Sequence, residues 1–473
     1  MEGKAEIAKM NNDKRFGVMI TKGPMNWQVF QQTEGKADIT LEGSWYHPEE
    51  YKDAVRVYVR LYTEKDNLPV INSQPAQVSG SSWTCTLRQV PAGGPYRIET
   101  LLQEGDQVIP FEWSCHGDMR HHICVGDVFL IAGQSNAVGY GKDAIEDLPE
   151  IGIHMLRENG VWDLATHPLH DTTDTIFPAH QDGANTGHSP YLSFARKLKR
   201  KHQWPIGLIM AAKGGSPLDR FDPQGGGDLY RNMLDMVSYQ GGGLRAVIWC
   251  QGAADANAQD ADSYGERLSR TIQSSREDFN IPDLPWFLIQ VGRFGDAVPE
   301  DDPFWGRIRE HQRQLAHRLP QVYTISTIDG VPSDAVHNNA FSNVMIGERI
   351  ADTVLNQLYG QAHFLCPDIQ SAHLEEDRKS VILTFSNVIE TVFHCHDQDM
   401  PYSILGPQGE DYRITACNSS GCQVTLCTEQ PIERHSTVSC VWQANPSFKP
   451  PFDSGTRLPV LSFYKVEIEE QAD

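Results

Sequence analysis

Ser135 stands in the stretch 128–141, VFLIAGQSNAVGYG, where an apolar run ends on a serine between two amides, Gln134 and Asn136, with Gly139 and Gly141 close behind. A serine hydroxyl is a poor nucleophile until a base takes its proton. The base works best when a carboxylate fixes its tautomer and stabilises the imidazolium. Far along the chain, Asp334 and His337 stand three apart in SDAVH. On one tight turn or first helical turn this spacing lets a carboxylate reach one ring nitrogen and leaves the other for Ser135. Asp329 competes for the acidic role. A tetrahedral intermediate further requires donors aimed at its oxyanion. The peptide N–H groups of Ser135 and of Gly215 in KGGS are candidates, because glycine lets backbone approach a ligand closely, and the side-chain amide of Gln251 is a third. Such a set performs acyl transfer through a serine ester and requires no metal and no cofactor.

Each of these residues alone has an ordinary explanation as a turn, a cap or a surface pair. What unites them is where the chain delivers them. From Gly126 onward, apolar runs of four to eight residues alternate with amphipathic segments. VFLIAG, PIGLIMAA, LRAVIWCQG, PWFLIQVG and VYTISTIDG read as five buried strands. YLSFARKLKRK, LYRNMLDMVSY, SYGERLSRTIQSSRED, FWGRIREHQRQLAHRL and FSNVMIGERIADTVLNQLYG read as helices. The pattern predicts an α/β domain with a doubly wound, five-stranded parallel sheet covered on both faces. Ligands bind beyond the carboxyl ends of such strands. Those ends carry Ser135, Gly214-Gly215, Gln251, Arg293 and the Asp329 to His337 segment.

On either side the rhythm is that of short strands and turns. WQVFQQ, ADITLEGSW, AVRVYVRLYT, SWTCTLRQV, YRIETLLQ and VIPFEWSC precede the α/β part; VILTFSN, YSILGP, YRITAC, CQVTLC, TVSCVW and LPVLSFYKVEI follow it. Three regions are expected: an N-terminal β-rich domain over 1–124, a catalytic domain over 125–362 and a C-terminal β-rich region over 363–473, the flanks being β-sandwich-like. Forty basic against 62 acidic residues give a net charge of −22, which repels phosphate backbones and argues against a nucleic-acid partner. No apolar run approaches the ~18–20 residues of a membrane span. The first residues show neither an apolar core nor a cleavage site, so a cytoplasmic chain is expected, or an exported one whose signal is absent. The ten cysteines form no C-x-x-C pair and read as reduced structural thiols. His394-Cys395-His396 is a poor zinc site, since adjacent strand residues point to opposite faces.

The blocks around these residues resemble a known family. GQSNA after GDVFLIA is similar to the first block of SGNH-type esterases, in the branch of sialate O-acetylesterases and carbohydrate acetylesterases. AAKGGSPLDRF looks like its Gly-Gly-Ser/Thr block and VIWCQGAADAN like its Trp-x-Gln-Gly-Glu block. WGRIREHQ and DAVHNNAFSNVMIGERIA look like its closing helix and D-x-x-H block. GPMNWQVFQQTEGKADITLEG and VSCVWQANP with LPVLSF resemble that family's flanking segments more weakly. The resemblance implies an SGNH-hydrolase (flavodoxin-like) core with Ser135 as nucleophile, His337 as base and Asp334 as its orienter. It also implies Ser135, Gly215 and Gln251 as oxyanion donors. One departure stands out: Ala253 occupies the place of the usual glutamate after Gln-Gly. A lipase-like α/β-hydrolase is disfavoured, because Ser135 lacks the G-x-S-x-G frame and lies on the first strand of its domain.

The resemblance favours O-acetylated sialic acid as substrate, whose carboxylate requires a cation in so acidic a chain. Lys213, Arg220 and Arg293 are the candidates for it. Gln134, Asn136 and His188 are further candidate substrate contacts. An acetylesterase for acetylated xylan or another polysaccharide, and a glycan-binding protein without activity, are the alternatives. Oligomeric state is left open by the sequence.

Overall fold

The computed structural model describes residues 16–47, 55–104, 115–183, 185–362, 364–394, 400–446 and 449–470. Apart from Cys115, the strand expected over 108–115 lies outside them, as do Cys395 and His396. The chain forms two compact units. The described residues up to Val128, with Pro149–Ala165 and Gln203–Leu208, make the first; Phe129–Leu148, Thr166–His202 and the described residues from Ile209 onward make the second.

In the first unit, strands Gly17–Lys22, Lys36–Tyr46, Ser82–Pro91 and Gln77–Ser79 form one sheet in that order. Val55–Thr63 pairs antiparallel with both Pro69–Pro75 and Gly93–Glu104. The alternation in these strands is the period of a half-buried sheet. Val57, Val59 and Leu61 point inward and join Ile39, Leu41, Trp83, Leu87 and Ile98 in one core. On a neighbouring face Glu99, almost wholly buried, pairs with Arg60 at 2.5 Å and Arg97 at 2.6 Å.

The second unit holds the five apolar runs as five strands. These are β1 (Cys115–Gly133, of which the last five residues belong here), β2 (Ile206–Ala212, of which the last four belong here), β3 (Ala246–Cys250), β4 (Trp286–Ile289) and β5 (Val322–Ile325). Their order is β2-β1-β3-β4-β5, and β1, β3, β4 and β5 run parallel to one another. After the one-turn helix α1 (Ser135–Val138), five helices carry the connections: α2 (Tyr191–His202), α3 (Asp228–Tyr239), α4 (Tyr264–Asp278), α5 (Asp302–Arg318) and α6 (Ala340–Tyr359). Helix α2 packs on α6, whereas α3, α4 and α5 pack in succession, and β5 touches both groups. The sheet is therefore covered on two faces, and Ala246 to Trp249 and Trp286 to Ile289 are buried throughout. Local signals agree with these bounds. Asn339 caps α6 by accepting from Ser342 N at 2.8 Å, and Gly360 ends it in the left-handed region at φ 61°. Lys199, Arg200, Lys201 and His202 crowd the last turn of α2, where the helix dipole favours positive charge. Among the described residues no helix is long and apolar enough to cross a membrane.

The C-terminal strands belong to this same unit. Asp368–Leu374, Ser380–Ser386, Ile414–Ser420 and Gln423–Thr428 share one sheet; Tyr402–Leu405, Thr437–Cys440 and Phe463–Glu467 make another. Their apolar residues share a core with Ile328, just past β5. Two polar anchors join them to the end of β4. Gln290 donates to Ser462 O at 2.9 Å and accepts from Ser462 N at 2.9 Å. Arg309, fully buried on α5, donates to the carbonyls of Val291 and Trp442, each at 2.9 Å, and also to Gly292 and Gln443. Burial pushes this guanidinium down to about 9, and the ring of carbonyls is what satisfies its donors.

Candidate active site

The serine turn begins where β1 meets the end of β3. Gly133 sits at φ 136°, and a Cβ there would lie 2.1 Å from Cys250 O, so only glycine lets the two strand ends close. Gln134 N then donates to Cys250 O at 2.9 Å, and Gln134 stays extended as the cap of α1. Ser135 is the first residue of that turn, so its N–H has no helical acceptor.

The two amides beside the serine reach in different directions. Gln134 Oε1 accepts from Gly252 N at 2.9 Å and from Ala254 N at 3.3 Å, fastening the loop after β3. Asn136 Nδ2 donates to Val336 O at 3.0 Å, and its Oδ1 accepts from Asn338 N at 3.1 Å. Those two partners are the immediate neighbours of His337. One amide therefore grips each side of the loop that carries the histidine.

That loop is a tight turn rather than a helix. Ser333 N donates to His337 O at 2.7 Å, and Asp334 Oδ1 accepts from the N–H groups of Val336 (2.9 Å) and His337 (2.8 Å). The other carboxylate oxygen lies 2.7 Å from His337 Nδ1. Burial works to raise the Asp334 carboxyl, but the hydrogen bonds from Val336 and His337 outweigh it and hold it below the ordinary range. Asp329 is committed elsewhere: it takes Arg349 in a bidentate pair at 2.9 and 2.8 Å. The His337 ring stacks on Tyr140, with centroids 4.6 Å apart.

Ser135 and His337 line one cleft of about 520 Å³. Gly214 and Gly215 form part of its wall, the latter at φ 66° with open space where a Cβ would stand. Gly214 N donates to Asp182 Oδ2 at 2.9 Å, whereas among the described residues Gly215 N has no acceptor. Ala253, Ala254 and Ala256 line a second side and Phe294 and Trp305 a third. The two aromatic rings are stacked, 5.7 Å apart and 17° from parallel. The structure thus brings a hydroxyl, a carboxylate-held imidazole and two backbone N–H groups to one cavity, which are the parts acyl transfer needs.

Several expected contacts are corrected by what the side chains touch. Gln251 is buried, and its amide nitrogen donates to Ser216 O at 3.1 Å and Asp255 Oδ2 at 2.5 Å, so both hydrogens are spent away from the cleft. Asn136 and Gln134 use their amides on backbone, as above, although Gln134 also borders the cleft. Lys213 Nζ donates to Gln181 O at 2.6 Å. Arg220 pairs with Asp228, Nε to Oδ1 at 3.0 Å, and donates to Ala179 O. Arg293 is buried and donates to Pro446 O; burial lowers it to about 10. None of these three cations lines the cleft. His188 Nε2 lies 3.0 Å from Asp147 Oδ2, which His167 Nε2 approaches to 2.9 Å. This trio is compact enough for a metal ion, yet Arg196 sits 2.6 Å from the other Asp147 oxygen. Burial works to raise the Asp147 carboxyl, and the bonds from His167, His188 and Arg196 more than reverse it, as in an ion-pair network.

Sequence reasoning passed over four residues here. Tyr140, inside the opening stretch, donates to Asp182 and is pushed up to about 12 by burial and by that carboxylate. Asp182 and Asp301 both line the cleft; no periodicity marks either of them, because they lie in a long loop and at a helix start. Asp255, two residues beyond Ala253, is fully buried and accepts from Leu218 N (2.9 Å), Gln251 and Arg267 (3.0 Å). An acid following Gln-Gly, displaced by two positions, is the signal that could have found it.

Residues 125–356 match the family model described as carbohydrate esterase, sialic acid-specific acetylesterase. A probable carbohydrate esterase of Arabidopsis thaliana is 29% identical over 277 residues, covering 54% of this chain and 98% of that relative. Human sialate O-acetylesterase is 23% identical over 299 residues, 54% of each chain, so about half of that relative's length is spanned. Among solved structures, a carbohydrate acetylesterase from Xanthomonas citri aligns with 93% of this chain and 99% of its own, at TM-score 0.64 and 20% identity. That likeness is one of fold and extends well beyond the α/β sheet.

Proposed function

We propose that this chain, which belongs through residues 125–356 to the sialic acid-specific carbohydrate acetylesterase family and is a carboxylic ester hydrolase, removes O-acetyl groups from sugars through an acetyl-serine at Ser135. Ser135 Oγ attacks the acetyl carbonyl while His337 takes its proton, Asp334 holding the ring by Nδ1. The N–H groups of Ser135 and Gly215 receive the oxyanion. As the tetrahedral species collapses, the bond to the sugar oxygen breaks and His337 returns the proton to that oxygen. Water then attacks the acetyl-serine, His337 taking its proton and handing it to Ser135 Oγ as acetate leaves. Gln251 acts behind the site, its amide fixing Asp255 and Ser216 rather than the oxyanion.

The observation that carries this reading is the pair of bonds from Asn136, one residue from the serine, to both neighbours of His337, with Asp334 2.7 Å from the ring. Acetate release from acetylated sugars tests it. Ser135→Ala and His337→Ala are expected to lose turnover while keeping the wild-type Tm, and undiminished turnover in Ser135→Ala would refute it. If the wild-type chain binds glycans but cleaves neither sugar acetates nor aryl acetates, it is a glycan-binding protein instead. The sialate form of the reading draws support from the family description and the human relative. It calls for a cation facing the cleft.

A further inference from the structure

We infer that the cleft selects uncharged O-acetylated saccharides and turns away anionic ones, an inference that rests on the esterase reading above. Two carboxylates, Asp182 and Asp301, line the cavity beside Ser135 and His337, and among the described residues no lysine or arginine does. Four cations on or beside the segments that line it are engaged elsewhere. Lys142 lies over the Tyr140 ring at 5.8 Å, but its ammonium donates to the carbonyls of Asn185 and Thr186. Lys213, next to Gly214, is held by Gln181 O. Arg309 lies over Trp305 at 5.5 Å, yet it is enclosed by backbone carbonyls and fully buried. Arg307 is paired with Asp262 at 2.9 Å.

A sugar carboxylate entering this cavity meets two like charges and no counter-charge. At ~6 Å and an effective dielectric near 20, one such repulsion disfavours binding on the order of a hundredfold. The net charge of −22 adds to it at long range. A neutral sugar meets the reverse situation. Its hydroxyls donate to Asp182 and Asp301, carboxylates that when ionised only accept. Its apolar ring face has the stacked Phe294 and Trp305 on one side and Ala253, Ala254 and Ala256 on another. Asp182 is itself fixed, by Gly214 N at 2.9 Å and the Tyr140 hydroxyl, so its charge stands at a set point in the wall.

The test compares kcat/KM of the full chain on an acetylated methyl xyloside and on 9-O-acetylated sialic acid, by acetate release at low and high salt. The neutral sugar is expected to lead by about ten- to a hundredfold, the lead shrinking as salt screens the carboxylates. Asp301→Asn, which keeps the shape of the side chain, is expected to narrow the lead several-fold through KM for the sialate. Asp182→Asn is expected to do the same, and Tm identifies any loss of fold. A sialate cleaved as fast as the xyloside, or a lead that neither salt nor either variant moves, overturns the inference. Ser135-dependent cleavage of aryl acetate with both sugars inert also overturns it while leaving the serine chemistry intact. If no ester is cleaved, the reading of the preceding subsection fails first.

Discussion

Replacing Asn136 by alanine is the sharpest probe of how the serine and histidine are held together. The side chain makes two bonds across the site, to Val336 O at 3.0 Å and from Asn338 N at 3.1 Å. Both backbone groups are partly buried. Their loss leaves one acceptor and one donor short of a partner, at about 1–2 kcal/mol each at a part-buried position. Stability is therefore expected to fall by roughly 2–4 kcal/mol, an upper figure if water enters. The effect on turnover is separate. His337 keeps its bond to Asp334, whose own anchors, Val336 N and His337 N, lie within the loop. The loop as a body is what drifts from Ser135, and a shift near 1 Å costs on the order of a hundredfold in rate. Asn136→Ala is thus expected to lower kcat about 10- to 100-fold with KM changed little, because the cleft wall at Phe294, Trp305 and Ala253 is untouched. Asn136→Asp keeps the acceptor for Asn338 but sets a charged acceptor against Val336 O, and should cost at least as much as the alanine. The assay is steady-state acetate release alongside a thermal melt. A lowered Tm with unchanged kcat would refute the reasoning, since the amide would then be a stabilising contact and nothing more.

Two further perturbations address the supports of each unit. Asp255→Ala removes one of the two carboxylates that pair with Arg267, Asp260 being the other, leaves Leu218 N without its acceptor and costs the Gln251 amide one of its two; a loss of about 2–4 kcal/mol is expected by chemical denaturation, and a loss below about 1 would show that the carboxylate is dispensable. Glu99 titrates below its ordinary value of 4.5, because the bonds from Arg97 and Arg60 outweigh the burial that raises it. A depressed carboxylate stabilises the fold above its unfolded pKa, and that contribution disappears as pH falls through the folded value. The urea midpoint of the wild type is therefore expected to drop as pH falls below the ordinary value of 4.5, and Glu99→Gln to flatten that limb; equal slopes in the two proteins would count against the assignment.

What was legible in the sequence follows the range of the forces involved. The five strands of the second unit announce themselves because a strand buried on both faces has to be apolar without a break, as AVIWC and WFLI are. The helices show for the complementary reason, since α2 and α6 each bury one stripe and expose the other. The pairing of Asp334 with His337 was readable because it is local, three residues on one turn. The fates of Gln251, Lys213, Arg220 and Arg293 were not, because each is decided by a carbonyl or carboxylate supplied from elsewhere: Ser216 O, Gln181 O, Asp228 and Pro446 O. A residue type at a strand end states what a side chain is able to donate. Which acceptor is nearest depends on loops whose course no periodicity records.

The serine between two amides has an account on the same terms. Ser135 must present a free hydroxyl on a one-turn helix, an element too short to hold its own position by internal bonds. The flanking side chains supply the fixing that the helix lacks, Gln134 toward the loop after β3 and Asn136 toward the loop of His337. Serine itself has only a short hydroxyl, which the proposed mechanism keeps for chemistry. Amides suit the task because each offers a donor and an acceptor without a charge that would perturb the imidazole nearby. An aspartate at 136 would meet Val336 O with an acceptor, and a lysine at 134 would find two N–H groups where it needs carbonyls. The asparagine and the oxygen of the glutamine are therefore set by the backbone groups they meet, while the glutamine also borders the cleft.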